Sequence, residues 1–190
     1  MMKQLKPALI LLAVFTLITG ILYPSLITGL AQLIFPTQAN GSLITQNGQV
    51  VGSALIGQQF DQPKYFWGRL SATSGEPYNA SASGGSNFSV LNPSLQSEVE
   101  TRIASLKAAD PNNTQPIPVD LVTSSGSGLD PDISVAAANY QAPRVARVRG
   151  LNLDQVNALI RQNTHGRIFG FLGEQTVNVL ELNLALDKIQ

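Results

Sequence analysis

The chain has 190 residues, with 12 basic against 12 acidic side chains and no cysteine. Zero net charge argues against nucleic acid or an anionic membrane surface as partner. The missing thiols exclude disulfides, cysteine nucleophiles and zinc–thiolate sites. Only 13% of residues are charged, against about a quarter in a typical domain, so much of the surface is polar-neutral or covered by other subunits.

From Pro7 to Ile34 the chain is apolar almost throughout, and no charged residue stands between Lys6 and Asp61. A bilayer core needs about 20 mostly apolar residues as a helix. A membrane helix is therefore predicted over residues 8–31, after a short cytoplasmic N-terminus (1–7) and before one extracytoplasmic domain (32–190) of mixed α/β character, an α+β chain overall. Orientation rests on charge. Lys3 and Lys6 flank the run on one side, and the other flank carries no Lys or Arg up to Phe60, which puts the N-terminus inside. A cleaved signal peptide is the alternative, since Gly29-Leu30-Ala31 is small-x-small. The run is long for a signal core of about 7–15 residues, which favours the retained anchor. Within the helix Thr16 and Gly20 sit four apart, as do Ser25 and Gly29, a spacing that lets helices approach closely in lipid.

After the helix, Asn47-Gly48 between short apolar runs predicts a hairpin. Tyr65-Phe66-Trp67-Gly68-Arg69 reads as a packed strand. Leu70 to Asn92 is a long Ser/Gly/Asn/Ala loop centred on Ser81–Asn87, and compact domains rarely keep such a stretch without a use. Asn92-Pro93 opens a helix with the stripe Leu95, Val99, Ile103 and Leu106, Glu98 and Arg102 pairing outside, and an end before Asp110-Pro111. Ile117–Thr123 reads as a strand, followed by a second Ser/Gly loop through Asp132. Ser134 caps a helix that Pro143 restarts. Asn152 caps another, with the stripe Leu153, Val156, Leu159 and Ile160, ending at Gly166. Phe169–Leu172 is an apolar turn or short strand, Val177 closes a strand, and Asn178–Glu181 has the form of a capping box opening the last helix.

No self-sufficient catalytic set is visible. The one histidine, His165, reads as a helix-end residue. No glycine is followed by lysine, so the phosphate-binding Gly-x-x-x-x-Gly-Lys loop is missing. Ser83-Gly84-Gly85-Ser86-Asn87 could offer backbone N–H groups to an anion, or be a plain turn. Asp130 and Asp132 read as turn acids rather than cation ligands. No metal site is expected.

Several stretches together resemble the KdpC family, the C subunits of Kdp potassium-transporting P-type ATPases. They are Gly52–Gln58, Tyr78-Asn79 through Asn87, Asp120–Asp130, Gln141–Ala146 and Val177–Asp187, and the likeness runs the whole chain. One departure is Gly68-Arg69-Leu70-Ser71, where the family has Pro in third place. The resemblance implies a non-catalytic accessory subunit in a bacterial inner membrane. Its implied partners are an ATP-hydrolysing and a potassium-translocating subunit, with no nucleic acid; the complex, not this chain, handles ATP and potassium. The phosphorylated Asp-Lys-Thr-Gly of P-type pumps does not occur here. The resemblance further implies promotion of ATP use, with nucleotide contact linked to Ser83, Gly84, Gly85, Ser86 and Asn87 by likeness to the Ser-Gly-Gly-Gln signature of other transporters. The charge pattern places those residues outside, away from ATP, and leaves indirect coupling as the route. A membrane-anchored binding protein for an extracellular ligand and a secreted hydrolase are the other classes the sequence leaves open.

Overall fold

The structure is a computed structural model and describes residues 4–189. It contains two compact units, residues 1–50 and 51–190.

The first unit is built on one helical rod, Leu5–Ile34, long and apolar enough to cross a membrane. It reaches three residues further at each end than predicted. It consists of α1 (Leu5–Leu17), a π-helical turn (Ile18–Leu22) and α2 (Tyr23–Ile34). Pro24 explains the wide turn. It has no N–H to give to the preceding turn, and Tyr23 N–H reaches back five residues to Ile18 O instead. Thr19 Oγ1 donates to Phe15 O (2.7 Å) beside it. Side chains along the rod are exposed apart from a half-buried Ala31. A short helix α3 (Pro36–Ala39) follows, with the amides of Gln32 and Asn40 bonded reciprocally. Strands β1 (Leu43–Gln46) and β2 (Gln49–Ser53) form the predicted hairpin. Asn47 and Gly48 both have positive φ, as a tight two-residue turn requires.

The second unit holds four helices and a small sheet. The helices are α4 (Pro93–Ala109), α5 (Val135–Arg149), α6 (Leu153–Gln162) and α7 (Val179–Asp187). Strands β3 (Asp132–Ser134), β4 (Thr164–His165) and β5 (Thr176–Asn178) form an antiparallel sheet in the order β3-β5-β4. Val177 at its centre lies opposite Ile133, both buried. Each helix starts on a side-chain cap read correctly from sequence. Asn92 accepts from Ser94 N–H, Ser134 from Ala137 N–H, Asn152 from Asp154 N–H and Asn178 from Glu181 N–H. The core gathers Phe66, Leu106, Leu121, Val145, Val156 and Leu182.

Several expectations need correction. Ile117–Thr123 is not a strand but holds a 3-10 turn, Val119–Leu121. Thr123 Oγ1 donates back to Val119 O, and the Asp120 carboxylate accepts from Ser134 N–H and Oγ. These local bonds compete with a ladder. Pro143 does not restart a helix; it sits inside a continuous α5. Asp132, read as the end of a loop, and Ser134, read as a helix cap, belong with Ile133 to β3, because β5 pairs with them. Helix α6 stops at Gln162, and His165 lies in β4 rather than at a helix end. Arg102 does not pair with Glu98 but turns inward to the carbonyls of Leu121 (2.9 Å) and Gly68 (2.8 Å).

The largest departure is Tyr65–Arg69. Phe66 and Trp67 are buried as expected, yet this stretch belongs to no strand. Its backbone is paired by side chains. Asn183 accepts Phe66 N–H (2.9 Å) and donates to Phe66 O (3.0 Å). Gln141 does the same for Trp67, at 2.8 and 3.1 Å. Each amide thereby reproduces the two-bond exchange a strand neighbour would supply. Arg144 donates to Pro63 O and to Gln141 Oε1, and Arg149 to Lys64 O. Replacing Asn183 by Ala orphans two buried backbone groups. The expected cost is about 3 kcal/mol, measured by denaturing the full chain in detergent micelles; a change under about 0.5 kcal/mol, the range of a neutral surface substitution, would contradict this role.

Candidate functional site

The Ser83–Asn87 stretch follows a 3-10 turn, Ala80–Ala82, that Asn79 caps through Ser81 N–H. It lies against the second Ser/Gly loop. Gly84 N–H and Ser83 Oγ both donate to Ser127 O, at 2.9 and 3.0 Å. The hydroxyls of Ser86 and Ser124 meet at 3.1 Å. Asn87 Nδ2 folds back to Gly85 O.

The contact is close on both sides. A Cβ on Gly85 would stand 3.0 Å from Gly126 O and push it back by a few tenths of an ångström. Gly128 has φ +68°, and a Cβ there would stand 2.7 Å from Gly84 O and 2.6 Å from Thr73 Cγ2. The two loops thus approach backbone to backbone, and at Gly128 a side chain would both clash and strain the chain. Gly126, by contrast, has open space around it.

Behind the contact stands Tyr78, held at φ +60°. Its hydroxyl donates to Arg69 O (2.6 Å), and its N–H donates to Ser71 Oγ (2.8 Å). Burial pushes its phenol up to about 12. Arg69 pairs with Asp130 (3.1 Å) and donates to Ser124 O (3.2 Å), so it ties the second loop to the same corner. Leu70 O accepts from Ser125 N–H (3.2 Å). A groove of about 340 Å³ runs alongside, lined in part by Ser71, Glu98, Thr101, Arg102 and Ser124. Residues 83–87 do not line it.

Of the other residues singled out from sequence, Asp130 belongs to this corner through its pair with Arg69. Asp130 Oδ1 accepts from Asp132 N–H (3.0 Å), the turn-acid geometry. Asp132 accepts from Thr176 and Asn178 side chains. Among the described residues no group of three or more His, Asp or Glu could hold a metal. His165 is exposed and faces Glu181 at 3.4 Å. On the apolar rod, a Cβ on Gly20 or Gly29 would meet nothing within 4 Å. Thr16 lies near the end of α1 and Gly20 within the wide turn, while Ser25 and Gly29 lie beyond it on α2.

Sequence reading missed the polar side chains that build this region: Arg102, Gln141 and Asn183. The available signal was polar residues set in otherwise apolar helical stripes, as in Leu182-Asn183-Leu184.

Comparison with known proteins gives a consistent result. The family model described as "KdpC: K+-transporting ATPase, c chain" matches residues 5–188. A protein of Herpetosiphon aurantiacus named potassium-transporting ATPase KdpC subunit is 62% identical over 185 residues, covering 97% of this chain and 96% of its own. Proteins of the same name from Methylococcus capsulatus (60% identical, 100% of both chains) and Variovorax paradoxus (59%, 98% and 97%) are similar throughout.

Two outcomes follow from the loop contact. Gly128→Ala should cost about 2 kcal/mol or more through strain and crowding, whereas Gly126→Ala should stay within about 1 kcal/mol. Equal effects in denaturation of the full chain would contradict the close approach. Tyr78→Phe tests the buried phenol. Its folded pKa lies above the unfolded value near 10, so the stability from keeping the proton is fully present below pH 10. It is lost as pH rises toward 12. The stability gap between wild type and Tyr78→Phe should therefore narrow from pH 10 to 12; a constant gap would place the phenol in water.

Proposed function

Because the chain belongs to the KdpC family of K+-transporting ATPase c chains over residues 5–188, we propose that it is a non-hydrolysing accessory subunit of a potassium-uptake ATPase. The full-length match at about 60% identity carries this reading. ATP hydrolysis and potassium passage fall to companion subunits. The aspartate in the chain's one Asp-Lys pair, Asp187, supports that division: it accepts from Arg149 (2.7 Å) and Tyr65 (3.3 Å) and so is engaged in structural contacts at the edge of the fold.

In this proposal the Leu5–Ile34 helix crosses the bacterial inner membrane with Lys3 and Lys6 in the cytoplasm and residues 32–190 outside. The charge asymmetry supports it, since the next basic residue after Lys6 is Lys64. Thr16, Gly20, Ser25 and Gly29 let companion helices approach the rod closely. The open space at Gly20 and Gly29 is consistent with such packing.

The subunit promotes ATP use by its partners without holding nucleotide. A triphosphate needs converging N–H donors and cationic side chains. Ser83 and Gly84 bond Ser127 O instead, and the nearby Arg69 and Arg102 are engaged by Asp130, Ser124, Leu121 and Gly68. The Ser83–Asn87 stretch acts as a structural clasp. An outward domain biases the pump by binding one of its states better than another, which is a coupling free energy between sites.

Single cysteines test the arrangement, since the chain has none of its own. Gln4→Cys and Ala108→Cys both fall on exposed residues. In intact cells a membrane-impermeant thiol reagent should label position 108 and not position 4. Labelling of 4 alone would reverse the topology and return Ser83–Asn87 to the cytoplasm, within reach of ATP.

A further inference from the structure

The apolar rod holds one backbone acceptor that its own ladder does not satisfy. In a regular α-helix the Thr19 carbonyl accepts from Tyr23 N–H, four residues on. Here Tyr23 N–H donates to Ile18 O instead. The next residue in line is Pro24, which has no N–H. The wide turn therefore serves Ile18 O and leaves Thr19 O with no donor at either helical spacing. The Thr19 hydroxyl is committed elsewhere, to Phe15 O (2.7 Å).

Thr19 is the fifteenth of the 30 residues in Leu5–Ile34. The open acceptor thus falls at the middle of the rod, which is the bilayer midplane in the arrangement proposed above. Backbone polar groups left unpaired in hydrocarbon are costly, so a donor is required there.

Chemistry selects the donor. Acyl chains have none to give. A water needs about two to four polar partners to hold it, and the side chains beside this carbonyl, Ile18, Ile21 and Leu22, are apolar. A Lys or Arg would shed its hydration for a single neutral dipole, which repays little. A second copy packed in parallel brings Thr19 to the same depth, and that hydroxyl is already used. An uncharged hydroxyl or carboxamide on another membrane helix fits, because it too must find a partner in hydrocarbon. Access is open. Gly20 is the next residue, and a Cβ there would meet nothing within 4 Å, so a neighbouring backbone can come close enough for a short side chain to reach.

We infer that the Thr19 carbonyl accepts a hydrogen bond from an uncharged hydroxyl or carboxamide side chain on a membrane helix of a companion subunit. This rests on the accessory-subunit reading above. It gives Pro24 a role beyond shaping the rod: it keeps an acceptor open for a partner and fixes the depth at which the two helices meet.

The test uses the full chain with its companion subunits. Threonine labelled at the carbonyl carbon and glycine labelled at the amide nitrogen mark two peptide bonds for NMR, Thr19-Gly20 and Thr28-Gly29, since no other Thr-Gly pair occurs. Thr28 lies within regular α2 and is the internal standard. In micelles of the chain alone, the Thr19 carbonyl should resonate as an unbonded group. With companion subunits it should move to the hydrogen-bonded position while Thr28 stays still. A Thr19 carbonyl already bonded in the chain alone, one that moves with chain concentration alone, or one unchanged in an assembled complex would overturn the inference. Independently, Pro24→Ala restores the missing N–H and lets Tyr23 N–H return to Thr19 O. Recovery of this variant with tagged companion subunits should fall about threefold to tenfold, with its own denaturation midpoint undiminished and its Thr19 carbonyl bonded with or without companions. Unaltered or improved recovery would overturn the inference as well. Should wild-type chain itself fail to co-purify, the accessory-subunit reading fails instead.

Discussion

One constraint shapes the second unit: the segment Phe66 to Gly68 is buried in the core yet belongs to no strand. Its backbone groups must be paired inside the protein. Side chains from three helices do so. Asn183 on α7 and Gln141 on α5 serve Phe66 and Trp67. Arg102 on α4 and Arg144 and Arg149 on α5 take the carbonyls of Gly68, Pro63 and Lys64. Arg102 and Arg144 also lie about the Trp67 ring, at 5.1 and 4.8 Å from its centre. Arg144 is buried as a cation, and that burial pulls its pKa down to about 10. Its pairing with two oxygens and a ring face offsets the cost of leaving water. The helices are therefore oriented by what the segment needs, and the segment by what they offer.

The same corner holds the two Ser/Gly loops. Arg69 leaves this segment and reaches Asp130 and Ser124, while Tyr78 returns its hydroxyl to Arg69 O. A Cβ on Gly68 would stand 2.7 Å from the Tyr78 hydroxyl, and one on Gly57 would strike the Tyr78 ring. Within the two Ser/Gly loops, Gly85 and Gly128 are points of close approach between chain segments.

Local signals were legible because their partners are near in sequence. The caps at Asn92, Ser134, Asn152 and Asn178 and the Asn47-Gly48 turn involve residues two or three apart, and all formed. The apolar rod was legible from hydropathy, although the wide turn before Pro24 was not foreseen. The strands were legible only in part: the hairpin and the strand at Val177 formed. Tyr65–Arg69 has strand composition, yet its partners are side chains 74 and 117 residues away. Conversely, Asp132–Ser134 has loop composition and becomes a strand because Thr176–Asn178 lies beside it. For the candidate site, sequence picked the Ser83–Asn87 stretch but not the loop that receives it. It read Phe169–Leu172 as an apolar turn without any sign that the turn faces solvent.

The proposed accessory role places the chain's effect in the stability of its partners' states. The most direct measurement is the KM for ATP of the companion subunits, purified and reconstituted with and without this chain. Removal of the chain should raise that KM or abolish potassium-stimulated hydrolysis. An identical KM and an identical potassium response in its absence would contradict the account.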